Sequence, residues 1–351
     1  MTARRILICL HDFHRGGTER IALGLARAWT DAGRDVTILC GSTEGGLRDD
    51  VDPRVPVVAV DPPVRRGLFS RFDLARAMAR RLDGLGPDII FLPGNFHAAL
   101  ANGLRAVTWA PIALKISNPP VPAGAPFAGS VFRWLTRGVT GFAAMNHGLR
   151  RQLQEMLPGR GVVALHDPVY IQPLQAAARS GDHVLWIGRL ERQKDPLLAL
   201  DIIAATEGLH LTMLGEGSLR PAVEQRIHAL DLKDRVALHG HVAAIEPYLA
   251  EADMLLITSR YEGGPAVAVE ALAQGLPVVS TDCSFLLHDL IAMPEAGRIV
   301  ASRDPRGLAA ALTQVLAQRA APEKLKAVAA PFEPEACAKA YLAWFDGLAH
   351  G

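Results

Sequence analysis

Long apolar runs are missing from this sequence. No stretch of about eighteen consecutive apolar residues occurs, so nothing in it reads as a membrane-spanning helix. The first five residues lead directly into Ile6–Leu10, an apolar run too short for a signal peptide, and a cytoplasmic chain is expected. Cysteine is scarce as well. Cys9, Cys40, Cys283 and Cys337 lie far apart with no pair at Cys-x-x-Cys spacing, and the first two sit inside strand-like runs, as buried thiols in a reducing compartment do. The basic residues carry no recognisable nucleic-acid motif and no interleaved aromatic set, which argues against nucleic acid as a partner. His11, His14, His97 and the carboxylates do not fall at metal-ligand spacing, so no metal site is expected.

What is present is bulk and alternation. The 351 residues, half of them hydrophobic, can bury substantial cores and fit two domains. Net charge is +1 but unevenly spread: residues 1–170 hold 21 Lys+Arg against 14 Asp+Glu, and residues 171–351 hold 16 against 22. A basic N-terminal half suits an anionic surface or acceptor. Apolar runs alternate with helical patterns almost throughout, the mark of parallel α/β architecture. Strands are predicted at residues 6–10, 36–40, 57–60, 88–92, 111–115 and 141–145, with helices at 19–32 and 72–82 and from residue 95. A Pro-containing passage, residues 166–173, reads as a linker. Further strands follow at 184–187, 210–214, 236–239, 254–258 and 277–280, interleaved with helices at 196–206, 219–230, 245–250 and 308–319 and a last helix at 334–348. Two such series predict two Rossmann-like domains facing a cleft, with ligands outside the carboxyl ends of the strands. The expected division is 1–168 for the first domain, 169–330 for the second, and 331–351 for a closing helical segment.

The stretch after Met254–Thr258 is the most informative. Gly264 reads as an N-cap and Pro265 as the first residue of a helix, with Glu262 at its mouth and Glu270 on it. Bare glycines at Gly263 and Gly264 leave the first amides open, and such a helix mouth attracts phosphate. Two carboxylates bracketing that anion with acceptors for hydroxyls suit a nucleotide sugar. Gly188, Arg189 and Lys194 leave another strand end, where a guanidinium fork and a point charge can hold phosphate oxygens. Gly215 and Gly217 form a bare turn that lacks the third glycine of a dinucleotide fingerprint. His241 and Val242 follow the next strand, where backbone could edge a nucleobase. Gly16 and Gly17 make an amide nest before the first long helix, and His97 lies past the fourth strand, placed for acid–base or orienting work. Residues 64–81 carry six arginines, among them Arg65, Arg66, Arg71, Arg80 and Arg81, with Leu68, Phe69, Phe72, Leu74 and Met78. They form a basic amphipathic stretch that could lie on an anionic membrane surface or pack one face on the sheet.

Glu262 and Glu270, with seven residues between them in Glu-Gly-Gly-Pro-Ala-Val-Ala-Val-Glu, resemble the E-x7-E motif of GT-B retaining glycosyltransferases of family 4. Gly188-Arg-Leu with Gln193-Lys194, Leu214-Gly-Glu-Gly, Val236-Ala-Leu-His-Gly240 and Gly16-Gly17-Thr-Glu-Arg fit the same family in order. Gly264 stands where the family often has an aromatic, and Leu165-His-Asp-Pro-Val169 departs from its usual linker pattern. The resemblance implies a GT-B fold, with 1–168 binding the acceptor, 169–330 binding the nucleotide sugar and the helix of 331–351 crossing back to the N-terminal domain, and a peripheral or cytoplasmic enzyme. It would move a sugar from a UDP- or GDP-linked donor to a glycan or lipid-linked acceptor in cell-surface polysaccharide or glycolipid synthesis. It also implies that Arg189 and Lys194 hold the donor diphosphate, that Glu262 contacts the donor sugar, and that the amides of Gly263, Gly264, Pro265, Ala266 and Val267 surround sugar and phosphate. Glu270 would take the ribose hydroxyls, His97 would lie near the anomeric carbon, and no cofactor or metal would be needed. Pro119-Pro120-Val-Pro122 is expected to shape the acceptor side. A nucleotide-sugar epimerase of the same fold and a non-catalytic nucleotide-sugar-binding subunit are the alternatives.

Overall fold

A computed structural model describes residues 2–67, 70–120, 128–170, 180–318 and 321–350. The chain divides into two compact units, Met1–Pro168 with Pro334–Gly351, and Val169–Glu333. The first unit holds strands β1 (Arg5–Leu10), β2 (Asp35–Cys40), β3 (Val57–Ala59), β4 (Ile89–Leu92), β5 (Ile112–Ile116), β6 (Gly141–Ala144) and β7 (Val162–Ala164). All pair in parallel, in the order β3-β2-β1-β4-β5-β6-β7. The central strands β1 and β4 are apolar on both faces because a parallel sheet is covered on both. Along β1, Leu7 and Cys9 enter one layer with Leu74, Met78 and Leu100, while Ile6, Ile8 and Leu10 enter the opposite layer with Trp29. That is the period-2 alternation of a strand. The covering helices are α1 (Gly17–Asp31), α2 (Ser70–Arg81), α3 (Ala101–Arg105), α4 (Ala128–Leu135) and α5 (His147–Met156).

The second unit repeats the plan with β8 (His183–Ile187), β9 (His210–Leu214), β10 (Val236–Gly240), β11 (Met254–Ile257), β12 (Val278–Thr281) and β13 (Gly297–Val300), in the order β10-β9-β8-β11-β12-β13. This is the doubly wound Rossmann order, which reverses direction between its first and fourth strands. Its helices are α6 (Pro196–Ala204), α7 (Arg220–Ala229), α8 (Glu246–Glu251), α9 (Ala266–Ala273), α10 (Phe285–Leu290), α11 (Pro305–Ala317) and α12 (Pro322–Ala329). The strands β7 and β13 are additions to the pattern expected from sequence. Both are edge strands of three or four residues, and in β13 an exposed Arg298 interrupts the apolar run. Among the described residues, no helix is long and apolar enough to cross a membrane. Of the expected linker, Ile171 to Pro173 lie outside the described residues, as do Val121 and Pro122 of the proline loop and Leu68 and Phe69 of the basic stretch.

The last helix, α13 (Pro334–Ala349), belongs to the first unit. It lies beside α1 and closes one layer of that unit's core with an aromatic cluster. Trp29 meets Phe345 at 5.1 Å and Phe91 at 5.5 Å between ring centroids, and Tyr341 meets Phe91 at 5.6 Å. Asp346 accepts two hydrogen bonds from the Arg34 guanidinium, at 3.0 and 2.9 Å, and one from the Ala3 amide at 2.8 Å. A fully buried aromatic truncated to alanine loses its transfer energy and leaves a cavity. We therefore expect Phe345→Ala to destabilise the first unit by about 3–5 kcal/mol in denaturant unfolding followed by tryptophan fluorescence. A loss below about 1 kcal/mol would show that α13 is not part of this core.

Candidate active site

Ligands of open α/β sheets gather where the strand order reverses. In the second unit that place lies between β8 and β11, and the two loops that leave these strands meet there. The loop after β8 brings Lys194 and the loop after β11 brings Glu262. The Lys194 ammonium lies 2.5 Å from Glu262 Oε1, and the Ser259 hydroxyl donates to the same oxygen at 2.6 Å. Glu262 is fixed from behind by its own amide, which donates to the Cys283 carbonyl at 2.8 Å. Gly188 leaves room for the lysine stem, since a Cβ there would sit 3.2 Å from Lys194 Cγ and Cδ. Arg189 is exposed and donates to Gln193 Oε1 at 3.4 Å, and Gln193 donates in turn to the Tyr261 carbonyl at 3.0 Å.

Behind this pair is a frame that sequence reading missed. Asp195 stands at the N-cap of α6, where an aspartate side chain ordinarily caps the helix. Instead it adopts the left-handed conformation at φ 50°, and its side chain does not cap the helix. Its carboxylate lies 2.7 Å from both the Arg303 and the Arg260 guanidinium. Arg303 also donates to the Ser259 and Thr258 carbonyls at 2.9 and 2.8 Å. Thr258 donates to the carbonyls of Lys194 and Asp195 at 2.9 Å each and accepts from the Trp186 indole at 2.9 Å. Each loop is thus held by the other. The only sequence signal for Arg303 is its place just beyond β13, a strand too short and too interrupted to be read.

The helix mouth differs from expectation by one residue. Pro265 is the N-cap at ψ 97° and α9 begins at Ala266, because an extended proline cannot supply the first helical residue. No side chain caps the helix, and no hydrogen bond among the described residues uses the amides of Gly263 or Gly264. Gly263 and Ala266 are exposed, and Gly264 and Val267 are half-buried. Glu270 lies one turn further along. Burial, with the Glu246 charge adding to it, pushes its carboxyl up to about 7, and its buried Oε2 has no hydrogen-bond partner among the described residues. Val242 and Val267 are both half-buried and pack against one core cluster, with Leu214, Ile257 and Val269, while His241 is exposed. Gly215 and Gly217 have a packing reason. A Cβ on Gly215, at φ +135°, would sit 1.9 Å from the Gly188 carbonyl oxygen, and one on Gly217 would sit 2.4 Å from that of Leu190. These glycines let the loop after β8 pass.

The first unit builds a second cluster at its own point of reversal, between β1 and β4. His11 and Asp12 leave β1, and Phe96 and His97 follow β4. The His11 ring lies 5.4 Å from Phe96, and Phe96 lies 5.6 Å from His97. His97 is buried, and neither ring nitrogen has a hydrogen-bond partner among the described residues. Burial, with the nearby His11 and Arg66, pulls its pKa down to about 3, so the imidazole is neutral at physiological pH. Among the described residues His97 pairs with no carboxylate. His11 does, with its Nδ1 3.0 Å from Asp12 Oδ2. Although burial opposes it, hydrogen bonds from Arg66, His14 and His11 hold the Asp12 carboxyl well below the usual range.

Arg66 donates to both Asp12 oxygens at 2.6 and 2.8 Å and to Glu19 at 3.1 Å, and Arg71 stacks 4.6 Å from the Phe96 ring centre. Two arginines of the basic stretch are therefore turned toward this cluster. The apolar face of α2, with Leu74 and Met78, is buried in the core. Gly16 is the uncapped N-cap of α1, and a Cβ there would lie 2.2 Å from Glu19 Oε2, so only glycine lets that carboxylate fold back over the turn to Arg66. Gly17 is the first residue of α1 and faces open space.

Residues 181–318 match the family described as glycosyl transferases group 1, and residues 16–169 match the glycosyl transferase 4-like domain. A lipopolysaccharide core biosynthesis glycosyltransferase of Rhizobium meliloti is 29% identical over 167 residues, covering 45% of this chain and 48% of that protein. The chain thus spans about half the length of that curated relative. The solved structure of a lipopolysaccharide outer core galactosyltransferase, WaaB, superposes with a TM-score of 0.79 at 18% identity, covering 96% of this chain and 98% of the other. An Anabaena protein, HepE, solved in complex with UDP, superposes with a TM-score of 0.73 at 16% identity, covering 99% and 96%. With two Rossmann-like sheets, a last helix that returns to the first unit, and both family patterns in sequence order, the chain belongs to the group 1 glycosyltransferases of GT-B fold.

Proposed function

We propose that the chain transfers a sugar, with retention of anomeric configuration, from a nucleoside-diphosphate donor to a glycan or lipid-linked acceptor in cell-surface polysaccharide or glycolipid synthesis. The observation that carries this reading is the meeting of Lys194 and Glu262 at the β8/β11 reversal, beside the open amides of α9. In this reading the second unit takes the donor and the first the acceptor. Lys194 leaves Glu262 for the donor diphosphate, with Arg189 adding a second cation and the α9 amides a partial positive charge. Glu262, held by Ser259, accepts from the donor sugar hydroxyls. Glu270 accepts from the ribose. The bond from the anomeric carbon to the diphosphate breaks as the acceptor oxygen bonds to that carbon on the same face, and the departing phosphate oxygen takes the acceptor proton. Charge developing on the diphosphate is then stabilised by groups fixed in advance, which is the largest electrostatic contribution such a site can make. His97, neutral, serves as a hydrogen-bonding group near the anomeric carbon. UDP bound in the Anabaena structure supports a uridine donor, and the naming of the Rhizobium relative for lipopolysaccharide core synthesis supports the acceptor class.

Replacing Arg189, Lys194 or Glu262 with alanine is expected to lower transfer by about 100-fold or more, with the circular dichroism spectrum unchanged. Full activity in all three variants would overturn the reading.

Glu270 gives a pH-dependent test. Its raised pKa means that the folded chain favours the protonated carboxyl, so the stability it confers is complete below about pH 4.5 and is lost as pH rises through 7. Ribose hydroxyls donate to the ionised form, so UDP should bind about ten-fold more weakly at pH 6 than at pH 8. Glu270→Gln should flatten that dependence in calorimetric titrations and raise the melting temperature at pH 8 but not at pH 4. An unchanged pH dependence in Glu270→Gln would remove the ribose role.

A further inference from the structure

From Ile89 to Gln154 the sequence contains no aspartate or glutamate. Apart from Phe72 on α2, which is half exposed, the large apolar side chains that the first unit exposes among the described residues lie within that interval. Trp109, in the loop before β5, is 91% exposed, and Val107, Val131 and Trp134 are about half exposed. Single exposed apolar residues are ordinary on a soluble surface, but several on one face mark a binding surface. These residues are held together by α3. Asn102 donates to the Trp134 carbonyl at 2.8 Å and accepts from the Gly138 amide at 2.9 Å. One turn along, the Arg105 guanidinium lies 5.6 Å from the Trp109 ring centre and donates to the Trp109 carbonyl at 3.1 Å. Arg133 on α4 donates to Ser130 Oγ and to the Met156 carbonyl. Among the described residues neither Arg105, Arg133 nor Arg137 has a carboxylate partner.

Indole rings favour the boundary between water and hydrocarbon, where one edge is apolar and the other hydrogen-bonded. Arginines set beside them with no carboxylate partner among the described residues favour lipid phosphate. We propose that this face of the first unit docks on an anionic lipid bilayer, with Trp109 and Trp134 at the headgroup level and Arg105, Arg133 and Arg137 on phosphates. The basic stretch at 64–81 is the weaker surface, because Leu74, Ala75, Ala77 and Met78 are spent on the core and Arg66 on Asp12 and Glu19. The docking surface goes beyond the proposed transfer reaction and does not depend on it.

Flotation of the full chain with phosphatidylglycerol–phosphatidylcholine vesicles, and with phosphatidylcholine vesicles alone, tests this directly. The chain should float with the anionic vesicles only and be released by salt. The combined Arg105→Gln, Arg133→Gln and Arg137→Gln variant should bind about 100-fold more weakly, at about five-fold per arginine. Trp109→Ser with Trp134→Ser should weaken binding by about ten-fold or more. Trp109→Ser alone, at a side chain that packs on almost nothing, should still weaken it measurably if the double variant does not fold. Replacing Arg76, Arg80 and Arg81 with glutamine should change binding by less than about two-fold. The proposal fails if the arginine and tryptophan variants float like the parent, if only the α2 variant loses binding, or if no vesicle is bound. It also fails if ultracentrifugation instead shows a concentration-dependent dimer that Trp109→Ser abolishes.

Discussion

The contact between the Lys194 ammonium and the Glu262 carboxylate joins the loops that leave β8 and β11 at the one place where that sheet reverses its strand order. A half-buried ion pair between two loops is costly to hold unless the backbones that carry it are fixed. Here they are fixed by crossing hydrogen bonds: Arg303 to the carbonyls of Thr258 and Ser259, and Thr258 to the carbonyls of Lys194 and Asp195. The left-handed backbone at Asp195 is the cost of turning its carboxylate toward two arginines instead of into a cap. Gly188, Gly215 and Gly217 remove the side chains that would push these loops apart. Loss of Arg303 would therefore reach both charged residues at once without touching either.

The two units use the same topology for different electrostatics. At the β8/β11 reversal the groups are charged and open, suited to an anion. At the β1/β4 reversal His97 is buried and uncharged, burial lowers the pKa of His11, and the Asp12 and Glu19 carboxylates are both held by Arg66. A buried neutral imidazole with unpaired nitrogens is expensive in an apolar core and is better suited to meeting hydroxyls than charges. That division agrees with a donor diphosphate on the second unit and a sugar acceptor approaching the first.

Most of the strand and helix order was legible, because parallel strands covered on both faces leave unbroken apolar runs that a sequence displays openly. The runs at Ile6–Leu10, His210–Leu214 and Met254–Ile257 are of this kind. β7 and β13 were not legible, since edge strands of three or four residues carry too few apolar positions, and α4, α5, α10 and α12 fall between stronger signals. The site was legible where chemistry lies close in sequence, as in Glu262 to Glu270. It was illegible where chemistry is made by folding. Nothing in the sequence near residue 303 says that its guanidinium will reach residues 195, 258 and 259. Nor does the basic stretch announce that Arg66 will turn inward to Asp12, a residue 54 positions earlier.

A crystal structure of the chain with a uridine-diphosphate sugar tests the central claim most directly. The account predicts that the diphosphate lies on Lys194, Arg189 and the amides of Gly263 to Val267, with the Lys194–Glu262 contact opened, Glu262 on the sugar hydroxyls and Glu270 on the ribose. A donor bound elsewhere, or one bound with the Lys194–Glu262 contact still closed, would contradict it.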